Sequence, residues 1–297
     1  MTVFEDQKKK MATGNGFIAA LDQSGGSTPK ALKQYGVEED EYNGEAEMYG
    51  EIHKMRSRII TSPAFTDSKV LGAILFERTM RSEIDGLPTA QYLWEKRGVV
   101  PFLKIDKGLE DKANDVQLMK PMPGLEELLK EAKETFGIFG TKERSVIHAA
   151  NAEGIKAVVD QQFEVGKTVV AAGLVPIIEP EVDINSPTKE AAESLLKDAI
   201  KAQLDALPEG IDVMLKLTIP TVDGLYDDLA DHPRVVRVVA LSGGYTTDDA
   251  CEKLARQPKM IASFSRALAE GLSKKQSDDD FNALLGSNIG KIYEASL

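Results

Sequence analysis

Eight short apolar runs, each followed by a longer amphipathic stretch, set the terms for how this chain can fold. They are Gly16–Asp22, Val70–Glu77, Val99–Asp106, Arg144–Ala149, Leu174–Val182, Val213–Pro220, Arg234–Ser242 and Lys259–Arg266. All are rich in Val, Ile, Leu and Phe and lack clean apolar–polar alternation, as strands buried on both faces do. The stretches between them read as helices. Glu45–Ile60 opens acidic and closes basic, in step with the helix dipole. Ala152–Ala172 sets Ile155, Val158, Val159, Phe163, Val169 and Val170 at helical spacing. Ser186-Pro187 with Glu190 marks a helix start leading into Ala191–Leu204, and Gly243–Gln257 is acidic early and basic late. Between the sixth and seventh runs, Thr221–Pro233 leaves room for only a short helix.

Strands alternating with helices predict parallel βαβ units, and eight of them favour a closed (β/α)8 TIM barrel over an open sheet. The open-sheet rival needs a glycine-rich dinucleotide turn after the first strand. Asp22-Gln23-Ser24-Gly25-Gly26-Ser27 lacks that spacing. A chain of 297 residues suits one such barrel, residues 1–297, as a single α/β domain.

Charge and composition narrow the partners. Thirty-six basic and 48 acidic residues leave a formal net charge of −12, which argues against broad nucleic-acid or anionic-membrane binding but leaves local cations free to hold a phosphate. No apolar run approaches the ~20 residues of a membrane span, and the N-terminus lacks a secretory pattern. One cysteine, Cys251, excludes an internal disulfide framework and points to a reducing compartment. The expectation is a soluble, cytoplasmic protein.

In barrel enzymes the reacting groups project from the carboxyl ends of the strands. Those ends carry Asp22, Glu77, Lys104 with Asp106, Lys142 with Arg144, Glu179 with Glu181, Lys216, Ser242, and Ser265 with Arg266. Taken singly, each reads as a solvated strand terminus. Recurrence at nearly every end points to a site. Lys216 stands out in Val213-Met-Leu-Lys-Leu-Thr-Ile219, one amine in an apolar run. Burial and neighbouring cations favour a neutral amine, which can attack a carbonyl to form a Schiff base. The plainer reading is a lysine that snorkels to the rim or pairs with Glu179 or Glu181. Those two carboxylates flank Pro180 and share a face in a regular strand, unless the proline bends them towards different partners. Ser242-Gly243-Gly244 and Ser265-Arg266 end adjacent strands, where barrels often bind phosphate. The Asp22–Ser27 loop is a second candidate anion-holding segment. Only His148 of the three histidines falls in an expected strand, so no histidine metal site is expected.

Taken in order, Ala19-Ala-Leu-Asp-Gln-Ser-Gly-Gly-Ser27, Gly72-Ala-Ile-Leu-Phe-Glu77, Phe102-Leu-Lys-Ile-Asp-Lys-Gly108, Val175-Pro-Ile-Ile-Glu-Pro-Glu-Val182, Met214-Leu-Lys-Leu217, Leu241-Ser-Gly-Gly244 and Ser263-Phe-Ser-Arg-Ala-Leu268 resemble class I, Schiff-base fructose-bisphosphate aldolases, bacterial branch. The resemblance spans essentially the whole chain. It implies a metal-free lyase without cofactor that cleaves fructose 1,6-bisphosphate reversibly in glycolysis and gluconeogenesis. Lys216 would form the imine and Glu179 would move its protons. Asp22 would act near the C3–C4 bond, while Lys104 and Lys142 keep the site cationic and Glu181 joins their charge network. Ser242, Gly243, Gly244, Ser265 and Arg266 would hold the phosphate on the dihydroxyacetone side, with Ser24 and Ser27 near the other. Sugar phosphates are the expected partners, and a homo-oligomer is compatible with the family.

The sequence departs from animal members at four places. Asp22-Gln23-Ser24 replaces Asp-Glu-Ser, Lys30-Ala31 stands where a lysine precedes a phosphate-contacting arginine, and Lys142-Glu143-Arg144 replaces Lys-Trp-Arg. Glu294-Ala-Ser-Leu297 stands in place of a long tail ending in a tyrosine. Lys30 or Lys33 is the expected substitute for the arginine.

Overall fold

The computed structural model describes residues 2–297. Eight parallel strands follow one another around a sheet in chain order: β1 (Phe17–Leu21), β2 (Val70–Leu75), β3 (Val100–Lys104), β4 (Gly140–Ile147), β5 (Val175–Val182), β6 (Val213–Thr218), β7 (Val235–Leu241) and β8 (Met260–Ala262). β8 returns beside β1, so the sheet is a nearly closed barrel with helices on its outside. Burial on both faces explains why the strands show no alternation: every residue of β1, β2 and β6 is buried.

Two apolar layers result. The outer, between strands and helices, includes Leu21, Leu75, Leu103, Ile178 and Leu217. The inner fills the barrel with Ile18, Ile74, Phe102, Ile177, Met214, Val239 and Ile261. Successive side chains on a strand alternate faces. Stepping by twos from the inner residues therefore leads from Ile18 to Asp22, Phe102 to Lys104, Ile177 to Glu179 and Glu181, and Met214 to Lys216. The apolar filling supports a charged floor above it, towards the carboxyl ends.

Helix Val3–Thr13 closes the opposite end, with Met11 inserted into the inner layer. Arg237 on β7 holds it, donating to the carbonyls of Met11 and Gly14 at 2.9 Å each. Neither this helix nor helix Asp278–Glu294 is among those that the sequence pattern predicts. The first buries only Gln7 and Met11 and so offers no apolar stripe.

Several boundaries move. The fourth strand begins at Gly140, four residues before the expected Arg144, because Lys142 and Glu143 lie within it and are buried. A charged triplet reads as a strand end; here Lys142 and Glu143 are buried and only Arg144 is exposed. His148 consequently falls just past the strand, contacting Gln117 Oε1 at 2.9 Å and Asp183 Oδ2 at 3.4 Å. β8 stops at Ala262, leaving Ser265 and Arg266 in the turn and short helix beyond. The helix expected at Gly243 starts at Thr247, since Gly243 and Gly244 have φ of +59° and +127°. Ser186-Pro187 precedes a helix that begins at Lys189, and Thr221–Pro233 holds the four-residue helix Asp227–Ala230.

Candidate active site

A cavity of about 890 Å3 opens at the carboxyl ends of the strands. Lys216, Glu179, Asp22, Lys142, Lys104 and Glu181 line it, as do Ser242, Gly243, Gly244, Ser265, Arg266, Ser24 and Ser27. Glu77 is elsewhere. It opens the short helix Glu77–Met80 and pairs with Arg81 and, at 2.7 Å, with Lys107, bordering a separate outer pocket. Stepping off β2 by twos from Ile74 reaches Phe76, so Glu77 turns outward.

The floor is one continuous chain of charges. Lys216, 4% exposed, lies with Nζ 3.1 Å from Glu179 Oε1. Lys142 Nζ is 2.8 Å from the other oxygen of Glu179 and 2.9 Å from Asp22 Oδ2. Three strand residues and Asp22, just past the end of β1, thus form Lys216–Glu179–Lys142–Asp22. Lys104 makes its own buried pair with Asp106 at 2.6 Å. Glu181, two residues beyond Glu179 on the same face, pairs instead with Arg144 at 3.2 Å. The shared face was expected; pairing with different partners needs no bend, only the different heights of Lys142 and Arg144 on β4.

Burial and neighbouring charge set the protonation states. Burial disfavours the Asp22 carboxylate, but Lys142, Lys216 and Lys104 more than offset it and hold its pKa well below the usual range. Lys142 is penalised by burial yet held strongly protonated by Asp22 and Glu179. Burial lowers the Lys104 pKa, against the charge of Asp106. Glu181 is pushed up by burial, with Arg144 opposing, so its proton is more readily held than that of an ordinary glutamate.

No strand end or motif points to Arg56, and Gln23 and Glu143 enter only as members of the Asp22–Ser27 loop and the Lys142–Arg144 triplet, with no role of their own. Arg56, with no exposure, sits on helix Gly44–Thr61 and hydrogen-bonds Gln23 and Thr79. Burial brings its pKa down to about 10. Its spacing from Ile52 and Ile60 places it on the apolar face of that helix, a signal available in the sequence. Gln23 stands at the wall of the cavity. Glu143 is buried on β4, its pKa raised well above normal first by burial and then by Asp106. Of the two lysines near Ala31, Lys30 reaches the cavity wall, whereas Lys33 lies outside it.

The family model for class I fructose-bisphosphate aldolases, described as glycolytic, matches residues 4–215. Among curated proteins, "Fructose-bisphosphate aldolase class 1" of Porphyromonas gingivalis is 57% identical over 293 residues, covering 99% of both chains. The chain belongs to the class I fructose-bisphosphate aldolases. The Synechocystis class 1 aldolase is 56% identical, covering 99% of this chain and 97% of its own. The solved structure of Plasmodium falciparum fructose-bisphosphate aldolase shares the fold, with a TM-score of 0.74 at 20% identity, covering 99% of this chain and 93% of that one. Class I aldolases are metal-independent lyases. Among the described residues, no helix is long and apolar enough to cross a membrane.

Proposed function

We propose that this aldolase, working as one domain in the cytoplasm, cleaves fructose 1,6-bisphosphate reversibly in glycolysis and gluconeogenesis through an imine on Lys216. The observation that carries the reading is the buried Lys216 amine 3.1 Å from Glu179 within a chain of alternating charges. The neutral amine attacks the C2 carbonyl, and Glu179 supplies the proton with which the carbinolamine oxygen leaves as water. As the C3–C4 bond breaks, its electron pair flows into the protonated imine and gives an enamine. The C4 hydroxyl proton passes to Glu179, left as a carboxylate by the loss of water, with the ionised Asp22 positioning that hydroxyl near the C3–C4 bond, and glyceraldehyde 3-phosphate departs. Lys142 touches both Asp22 and Glu179, so its fixed positive charge holds the two carboxylates in place around the reacting carbons. Protonation of the enamine and hydrolysis of the imine then release dihydroxyacetone phosphate and restore Lys216.

The phosphate of the dihydroxyacetone half is assigned to Ser242, Gly243, Gly244, Ser265 and Arg266. The backbone at Gly243 and Gly244 turns in the left-handed region, and a Cβ on Gly243 would meet Ile184 Cγ2 at 2.7 Å, so glycine is what lets this turn present its amides to an anion. Ser24, Ser27 and Lys30 take the distal phosphate.

Borohydride reduction in the presence of dihydroxyacetone phosphate, with EDTA, followed by peptide mass mapping, tests the mechanism. The expected result is a reduced adduct on Lys216 with matching loss of activity. An adduct on another lysine overturns the site assignment, and activity without any adduct overturns the imine.

A further inference from the structure

Between β1 and β8 runs a polar chain that the reaction steps above do not use. Arg56 Nη2 donates to the backbone carbonyl of Gln23 at 2.7 Å and to its side-chain Oε1 at 3.0 Å. Nη1 of the same guanidinium donates to Thr79 Oγ1 at 2.5 Å. A guanidinium carries donors only, so the Gln23 atom facing it is the carbonyl oxygen and the amide nitrogen is turned the other way. That nitrogen donates to Ser265 Oγ at 2.8 Å.

Ser265 Oγ therefore accepts from Gln23, and its own proton has to go elsewhere. Ser265 is half-buried in the cavity wall next to Arg266, whose guanidinium reaches the Gly243-Gly244 turn. The free direction for the hydroxyl proton is into the cavity.

We propose that Arg56 and Gln23 are positioning residues that make Ser265 a hydrogen-bond donor into the cavity, tuning the corner it shares with Arg266 for a ligand group that only accepts, a phosphate dianion. The inference rests on the assignment of the dihydroxyacetone-side phosphate to Ser265 and Arg266. A neutral amide at position 23 is essential to it. A carboxylate there would accept from Arg56 equally well, but its second oxygen would draw the Ser265 proton away from the ligand and add a negative charge facing the phosphate.

The test compares wild type, Gln23→Met, Gln23→Glu, Ser265→Ala and the Gln23→Glu/Ser265→Ala double variant, each with melting temperature recorded. The readouts are KM and kcat for fructose 1,6-bisphosphate and the inhibition constant of inorganic phosphate. Gln23→Met keeps size and neutrality, and Arg56 retains the backbone carbonyl. We expect it to weaken phosphate several-fold, and Gln23→Glu to weaken it by about tenfold or more, as for the loss of a hydrogen bond to a charged group. Both effects fall on KM far more than on kcat. In the Ser265→Ala background most of the Gln23→Glu effect disappears. If Gln23→Met binds phosphate like wild type, or Gln23→Glu costs as much without Ser265 as with it, the relay is overturned. If Ser265→Ala alone leaves phosphate binding unchanged, the phosphate assignment itself fails.

Discussion

Lys216 and Glu179 are legible as residue types but act as a contact. At 4% and 3% exposure they share little solvent, and each depends on the other to stay in place. Lys216→Met keeps the length of the side chain and removes the nucleophile. Aldolase activity is expected to fall by at least ~10^3-fold while the melting curve stays cooperative; retained turnover would remove Lys216 from the mechanism. Glu179→Gln is expected to cost about 10^2- to 10^4-fold in kcat, the usual span for a positioned acid or base. Glu143 makes a prediction about pH. Burial first and Asp106 second raise its pKa in the folded protein. Such a group adds stability that is complete below its unfolded pKa, near ~4.3, and is lost as pH rises through the folded value. Glu143→Gln, which mimics the protonated form, is expected to melt a few degrees above wild type between pH 7 and 9, with the two converging near pH 4. Parallel curves across that range would refute the assignment.

The strands and the capping helix divide the work between chemistry and support. β4 carries Lys142, Glu143 and Arg144 in succession, facing the barrel, the helix layer and the cavity rim. Helix Val3–Thr13 contributes Met11 to the floor beneath them, at the end away from the site. Met11→Ala is expected to destabilise the protein by about 2–5 kcal/mol, the range for a large side chain truncated in a packed core. Denaturant titration would measure this, and kcat at a permissive temperature should be unchanged. A loss of kcat without loss of stability would show that the floor reaches the chemistry.

Taken as a whole, the molecule is an anion that binds anions. The formal charge is −12, yet the cavity lining brings together Lys30, Lys104, Lys142, Arg144, Lys216 and Arg266 against Asp22, Glu179, Glu181 and Glu270, six cations to four anions. At ~0.15 M salt the screening length is about 8 Å, so the cavity's cations govern the final approach of a phosphate while the outer surface is screened. KM for fructose 1,6-bisphosphate is therefore expected to rise several-fold between 0.05 and 0.5 M salt, with kcat changing less. Dialysis against EDTA is expected to leave activity intact, as for a metal-independent class; loss restored by a divalent cation would contradict it.

Much of this follows from local pattern. Runs buried on both faces, placed eight times between amphipathic stretches, already specify parallel strands and a barrel. A charged group two or four residues past an apolar one on the same strand face already points a candidate out of the floor. Those rules act within one element, where the period of two and the period of 3.6 are set by backbone geometry. What lies between elements was decided only by the tertiary structure. The Lys142 triplet belongs inside β4 because Asp22 and Glu179 arrive from other strands to pair it. Glu179 and Glu181 differ in role because their cations sit at different heights on β4. Arg56 joins Gln23 from 33 positions away in sequence, and Gln23 joins Ser265 from 242. Burying a charge is tolerated only where partners from elsewhere satisfy it, and the chain's spacing does not encode which partners those are.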